Sequence, residues 1–325
     1  MLPRLDQSAK IWNLIERIWS ESGAWPEFID AMHLVLSRNF DKDDFDFGVW
    51  ASLPGLCCQA AGGNALLAEP VAAAWLLFYT AAHLMDSLED RDDPDPWWQA
   101  FGPGAAINLA TGLYFSASLA LQQMSALPLD QQTVQQINLQ VLQPFMAMCS
   151  GQHQDLVDPA PTLEQYWRIA GAKSGEFFAI ACHSGARLAT DQADILRGFH
   201  QFGYNFGLLL QVLDDLKDYK DLSQRERIVD SRILSRSLPI VYVREVCADS
   251  VRERFDQLLS QAASDPDAVS ALTQIIEENG GTLYLSVELE KFRDLALTGL
   301  DLAGVQNQHR TALVAILDKL YSPLS

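Results

Sequence analysis

The longest apolar stretch of the chain, Val71 to Met85, carries no polar face when wound as a helix. Such a helix must be enclosed by other helices, so this segment predicts an all-α bundle built around a central element. Thr80 and His83 interrupt it, and it is short for a bilayer, so burial within protein is expected and no transmembrane segment is predicted. Other segments share its period. Ile11, Leu14, Ile15, Ile18 and Trp19 recur at helical spacing, as do Leu209, Leu210, Val212 and Leu213, while strand signals are nearly absent. Breakers fall at Asp93 to Pro96, Gly102 to Gly104, Asp158 to Pro161, Asp265-Pro266 and Gly280-Gly281. They predict roughly ten helices. With no repeat, low-complexity linker or shift in composition, one domain over residues 1–325 is expected.

Charge narrows the ligands. The 23 basic and 42 acidic residues leave a net charge of -19, which repels a polyanionic backbone and excludes general nucleic-acid binding. A phosphate ligand would have to be held locally, by metals or a few placed cations. The five cysteines show neither zinc spacing nor a disulfide framework, and no charged-then-apolar leader pattern opens the chain, so a cytoplasmic location is expected. His83 and His183 lie in apolar helical stretches and read as core histidines; Trp97-Trp98 reads as a packing contact. No Ser/His/Asp order or glycine-rich phosphate loop offers a rival chemistry.

Asp86, Glu89 and Asp90 stand at i, i+3 and i+4 directly after the apolar helix, so they project from one face near its end. Like charges this close repel, and either a solvated helix end or a hard divalent cation relieves them. Asp214, Asp215 and Asp218 repeat the arrangement at i, i+1 and i+4 after a second apolar run, with Asp221 beyond. Two such helices are hard to explain by solubility. Magnesium binds through few protein carboxylates and bridges to substrate phosphates, so a shared Mg2+-diphosphate site is expected where both helices line one cavity.

In these elements the chain resembles the trans-isoprenyl diphosphate synthases, the class I isoprenoid enzymes that include farnesyl and geranylgeranyl diphosphate synthases. Gln211 to Asp218 is similar to the family's QxxDDxxD motif, and Asp86 to Asp90 to a variant of its first DDxxD motif, with Ser87 in the second position and Glu89 added. Gly151 to Leu156 resembles the GQxxDL helix, Lys173-Ser174-Gly175 the KTG element, and Arg236-Ser237-Leu238-Pro239 the KxTLP element with arginine for lysine. The resemblance spans about Phe47 to Val243. A closer but narrower likeness, in Met85 to Asp90 and Gly151-Gln152-His153, is to the ComQ-type prenyltransferases, which modify a tryptophan of a pheromone peptide.

The resemblance implies an isoprenoid synthase fold, a homodimer and an allylic prenyl diphosphate substrate. It implies Mg2+ bound by Asp86, Glu89, Asp90, Asp214, Asp215 and Asp218. Lys173 would hold the diphosphate, with Gln211, Asp155 and Ser174 beside the reacting carbon. Gln152, Lys217, Lys220 and Arg236 would be further substrate contacts, and Phe177 either lines the reacting carbon or packs in the core. Ala81 and Ala82, with Phe78 one turn deeper, would leave room for a farnesyl or longer chain.

Two elements of chain-elongating members are missing. Phe47 to Pro54 stands where GKRxRP belongs and holds no basic residue; Arg91 is followed by Asp92, Asp93 and Pro94 rather than completing RRG. Arginine recognises phosphate through bidentate hydrogen bonds, so these losses weaken a second diphosphate site. Three readings follow: a prenyltransferase with an altered or different second acceptor substrate, a terpene cyclase acting on farnesyl or geranylgeranyl diphosphate, and a non-catalytic prenyl-diphosphate-binding subunit.

Overall fold

The computed structural model of the protein describes residues 7–39, 45–90, 97–158, 160–224, 234–262, 264–305 and 308–321, and among them there is no strand. Among the described residues there are fourteen α-helices, more than the ten expected. They are α1 Gln7–Glu21, α2 Pro26–Asn39, α3 Phe45–Ala60, α4 Glu69–Asp90, α5 Pro103–Gln122, α6 Gln131–Val157 and α7 Leu163–Ala170. Beyond these come α8 Glu176–Arg187, α9 Ala193–Gln224, α10 Leu238–Val246, α11 Asp249–Gln261, α12 Pro266–Glu278, α13 Gly281–Leu302 and α14 Gln308–Tyr321. The expected breaks at Gly102-Pro103, Asp265-Pro266 and Gly280-Gly281 all separate or open helices. At Gly280 the backbone turns to φ 78°, a conformation that costs glycine little. The Asp93 to Pro96 break lies outside the described residues. The extra helices arise at polar breaks that carry no proline, such as Gly62-Gly63-Asn64.

The chain forms two compact units, residues 1–143, 179–203 and 297–325 in the first and residues 144–178 and 204–296 in the second. Helices α6, α8, α9 and α13 each contribute residues to both.

In the first unit α4 is the enclosed element that the sequence predicts. Val71 to Phe78, Thr80, Ala81 and Leu84 are all buried, and α5, which packs on α4, buries the small residues Ala106, Ala110, Ala117 and Ala120. Alanine faces let the backbones approach closely, while Leu76, Leu77, Leu109 and Leu113 fill the spaces around them. Truncating one of these leucines to alanine costs about 3 kcal/mol. With the preceding 3-10 turn, Ala65 to Glu89 and also Pro103 to Ala126 are apolar and long enough to cross a membrane by length and composition alone. The first is thus longer than the apolar run suggests. Its most apolar window is 72% buried, and burial accounts for the composition.

The second unit has its own core, in which Tyr219 and Leu222 of α9 pack with Ile240 and Val243 of α10, Phe255 of α11 and Leu272 and Ile276 of α12.

Candidate diphosphate site

In the first unit the last turn of α4 delivers Asp86, half-buried, and Glu89, exposed. The side chain of Asp90 and residues 91–96, Arg91 among them, lie outside the described residues. No basic residue stands in this last turn, so the acids face the negative end of the helix dipole, an arrangement that costs a few tenths of a kcal/mol per charge without a cation. Trp98, buried, donates from Nε1 to Ser87 Oγ at 3.0 Å and ties the following turn to the acid cluster. The packing role expected of this tryptophan is therefore present; the Trp97 side chain lies outside the described ones.

His83 corrects the sequence reading: it is exposed, its ring 4.6 Å from Tyr79. An apolar neighbourhood in sequence misplaces it because one edge of α4 opens near its acidic end. His183 is half-buried, and burial, His200 and Arg187 lower its pKa to about 4. Phe78 and Ala81 are buried and Ala82 is half-buried, with the Phe78 ring 6.0 Å from Tyr114. A cavity of about 440 Å3 in this unit is bordered by Lys10, Asn13, Arg17, Glu69 and Gln123, and by none of the expected substrate residues.

The second unit gathers most of the remaining candidates into one bonded array. Lys173 Nζ lies 2.9 Å from Asp155 Oδ2, joining the turn after α7 to the end of α6. Next to it, Ser174 Oγ donates to Gln211 Oε1 at 2.8 Å, and Gln211 Nε2 donates to Asp215 Oδ1 at 3.3 Å. Both ends of the Gln211 amide are thereby used, which fixes its orientation.

Asp215 is buried and held by two further donors. Tyr166 Oη donates to Oδ2 at 2.6 Å and the Leu238 backbone N–H donates to the same oxygen at 2.7 Å. Burial raises its pKa to about 7 against the opposing effect of these hydrogen bonds. Asp214 is accessible, has no hydrogen-bond partner among the described residues, and is pushed up to about 6 by surrounding protein and by Asp218. Asp215 thus anchors the start of α10, whereas Asp214, one position before it, is exposed and Asp218, one turn on from Asp214, is half-buried.

Neither Tyr166 nor the Leu238 amide is foreseen from the sequence. The only local sign is the Thr162–Gln165 capping box, which sets the start of α7 and so the place of Tyr166. Phe177 is buried against Phe145 and Phe178, which supports its packing role. Arg236 donates to the Leu156 carbonyl at 3.4 Å, Gln152 is half-buried, and Lys217 and Lys220 are exposed on α9.

Among the described residues no three His, Cys, Asp or Glu side chains gather closely enough to hold a metal by themselves. The donor chemistry nevertheless fits magnesium, which takes hard oxygens from one or two carboxylates and completes its shell with water and phosphate.

The family model described as polyprenyl synthetase matches residues 56–276. A geranylgeranyl diphosphate synthase of Mycobacterium tuberculosis is 25% identical over 238 residues, covering 69% of this chain and 67% of its own. A tryptophan prenyltransferase ComQ of Bacillus subtilis subsp. natto is 26% identical over 193 residues, 58% of each chain. The solved geranylgeranyl pyrophosphate synthetase of Pyrococcus horikoshii is similar over 96% of this chain and 94% of its own, with TM-score 0.78 and 18% identity. That likeness shows the all-α isoprenoid synthase fold.

Proposed function

Because the chain belongs to the polyprenyl synthetase family, we propose that it is a prenyltransferase that ionises an allylic prenyl diphosphate with magnesium and uses an acceptor site unlike that of chain elongation. The observation that carries this reading is the bonded array Asp155–Lys173 and Ser174–Gln211–Asp215 beside the exposed carboxylate of Asp214. Asp214 and Asp218 in the second unit, and by the resemblance Asp86, Glu89 and Asp90 in the first, would each bind magnesium, which would supply charge neutralisation on the diphosphate. Lys173 adds a cation where charge develops on the leaving group. In the step itself the allylic C–O bond breaks and its electron pair leaves on diphosphate. The acceptor then donates a pair to the allylic carbon and loses a proton.

The acceptor reading is supported by α3. Ala51 to Cys58 are buried without exception, and Phe45–Ala60 contains no lysine or arginine to meet a second diphosphate. A synthase-like terpene cyclase is the second reading, favoured by a line of aromatic rings on α4. Trp75 lies 6.4 Å from Trp50 and 6.2 Å from Tyr79, which in turn lies 4.6 Å from His83, one turn before Asp86. Ring faces stabilise a carbocation. The bonded array counts against a purely binding subunit.

The same reading includes a single domain, supported by the four helices with residues in both units, and a cytoplasmic location, in keeping with five free cysteines. It also includes a homodimer, for which exposed Ile107, Phe115 and Leu119 on one side of α5 offer an apolar surface.

Purified protein with magnesium and geranyl, farnesyl or geranylgeranyl diphosphate, each with and without isopentenyl diphosphate, tests the reading. Diphosphate release that depends on an added acceptor other than isopentenyl diphosphate is expected. Longer diphosphates would establish ordinary elongation, hydrocarbons or alcohols from one substrate would establish the cyclase, and no turnover would favour the binding subunit.

A further inference from the structure

We propose that Tyr204 is a positioning residue whose ring, seated between Gly171 and Gly175, sets the register of the turn that presents Lys173 and Ser174. The proposal rests on the diphosphate-handling role of those two residues given above.

Gly171–Gly175 is a single π-helical turn between α7 and α8. A π turn holds one residue more than an α turn needs and survives only where its surroundings enforce it. Relaxing it to α geometry would rotate the side chains on one side of the turn by about 100° relative to the other. Lys173 and Ser174 sit inside the turn, so their simultaneous reach to Asp155 and Gln211 depends on this register.

The opposing surface is one face of α9. Tyr204, Gly207, Gln211 and Asp214 follow at i, i+3, i+7 and i+10. A Cβ at Gly171 would collide with Tyr204 Oη, and one at Gly175 would stand 2.7 Å from Tyr204 Cε2. A Cβ at Gly207 would collide with the Ser174 carbonyl. The two glycines of the turn thus open a slot that the Tyr204 ring occupies, and Gly207 lets the backbone of the turn rest on α9. Because Gln211 and Asp214 lie farther along the same face, seating Tyr204 also fixes where Lys173 and Ser174 stand relative to them.

The collision at Gly171 supplies the test. Its backbone is helical, with φ -60° and ψ -45°, so alanine meets no conformational objection there. Without the tyrosine oxygen, the ring would approach the new Cβ through Cζ, 3.3 Å away, a tight but tolerable distance. Gly171→Ala should weaken calorimetric binding of inorganic pyrophosphate with magnesium by about tenfold, and adding Tyr204→Phe should return affinity to within about threefold of Tyr204→Phe alone. Amide hydrogen exchange over residues 171–176 in the ligand-free chain should quicken in Gly171→Ala and slow again in the double variant.

Undiminished affinity and unchanged exchange in Gly171→Ala, or a defect that Tyr204→Phe does not relieve, would overturn the proposal. If Gly171→Ala does not fold, Tyr204→Leu carries the same two readouts, with weaker binding and faster exchange expected. Wild-type protein that binds no pyrophosphate would instead refute the diphosphate reading of the site, and the exchange pattern would still decide whether Tyr204 holds the turn.

Discussion

The two acid clusters look alike in sequence and are held in opposite ways. At the end of α4, Asp86 and Glu89 stand half-buried and exposed on the negative pole of their helix, with Trp98 bonded to Ser87 rather than to either acid. On α9, Asp215 is buried under donors from Tyr166, Gln211 and the Leu238 backbone, so the neighbouring Asp214 and Asp218 are carried by a rigid support. A cluster aligned before any ligand arrives costs less to organise at the moment of reaction than one that a cation must gather. The α9 cluster is therefore set on its own support, and under the proposed function the α4 cluster is the one whose contribution should respond most to magnesium.

Turnover should expose this difference most strongly. Under the proposed function, Lys173→Ala and Asp214→Ala are each expected to lower kcat for diphosphate release by about a hundredfold or more, the first by removing a cation beside the leaving group and the second by removing a ligand of the magnesium. Glu89→Ala, on the exposed side of α4, should cost about tenfold and move the magnesium requirement more than kcat. Steady-state assays over a magnesium titration read both, and equal losses with the same metal dependence would abolish the distinction.

Stability should separate the clusters next. Asp215→Ala strands the Tyr166 hydroxyl and the Leu238 amide in the interior, and an expected loss of about 3 kcal/mol should appear as a lower Tm. Asp215→Asn, which keeps a carbonyl acceptor for both donors, should recover most of it. Asp86→Ala removes a charge from the wrong pole of α4 and should raise stability by about 0.5 kcal/mol in the absence of metal. An Asp215→Ala variant as stable as wild type would show that the support beneath the α9 cluster is not structural.

What separates the clusters could be read only in part from the sequence. The enclosed α4 helix and the acid spacings were legible because apolar periodicity and i, i+3, i+4 geometry are local properties. The family resemblance was likewise carried by local motifs, and the fold match and the family match bear it out. The anchoring of Asp215 was not legible, since Tyr166 lies 49 residues away and the Leu238 amide 23. Nor does a backbone amide announce itself in a sequence. The π turn was hidden because one added residue changes a helical period too little to register over five positions. His83 was misplaced because burial was inferred from its neighbours, although position 83 faces outward while Ala81 and Leu84 face the core.

The smallest expected effect distinguishes the regions by sign. His183, in the first unit, has its folded pKa lowered to about 4 from the ordinary 6.5, so the unfolded chain takes up a proton first as pH falls. Its stability contribution is full above 6.5 and is lost as pH drops through 4, an expected loss of about 3 kcal/mol. Asp215 runs the other way. Its folded pKa is raised from 3.8 to about 7, so its contribution is full below 3.8 and is lost as pH rises through 7. The two windows overlap with opposite signs, so the thermal unfolding midpoint in a metal chelator between about pH 4 and 6.5 should, relative to wild type, fall more with rising pH in His183→Gln and rise more with it in Asp215→Asn. If either substitution instead changed the slope in the direction expected of the other, the two regions would not carry the opposite proton linkages that their surroundings impose.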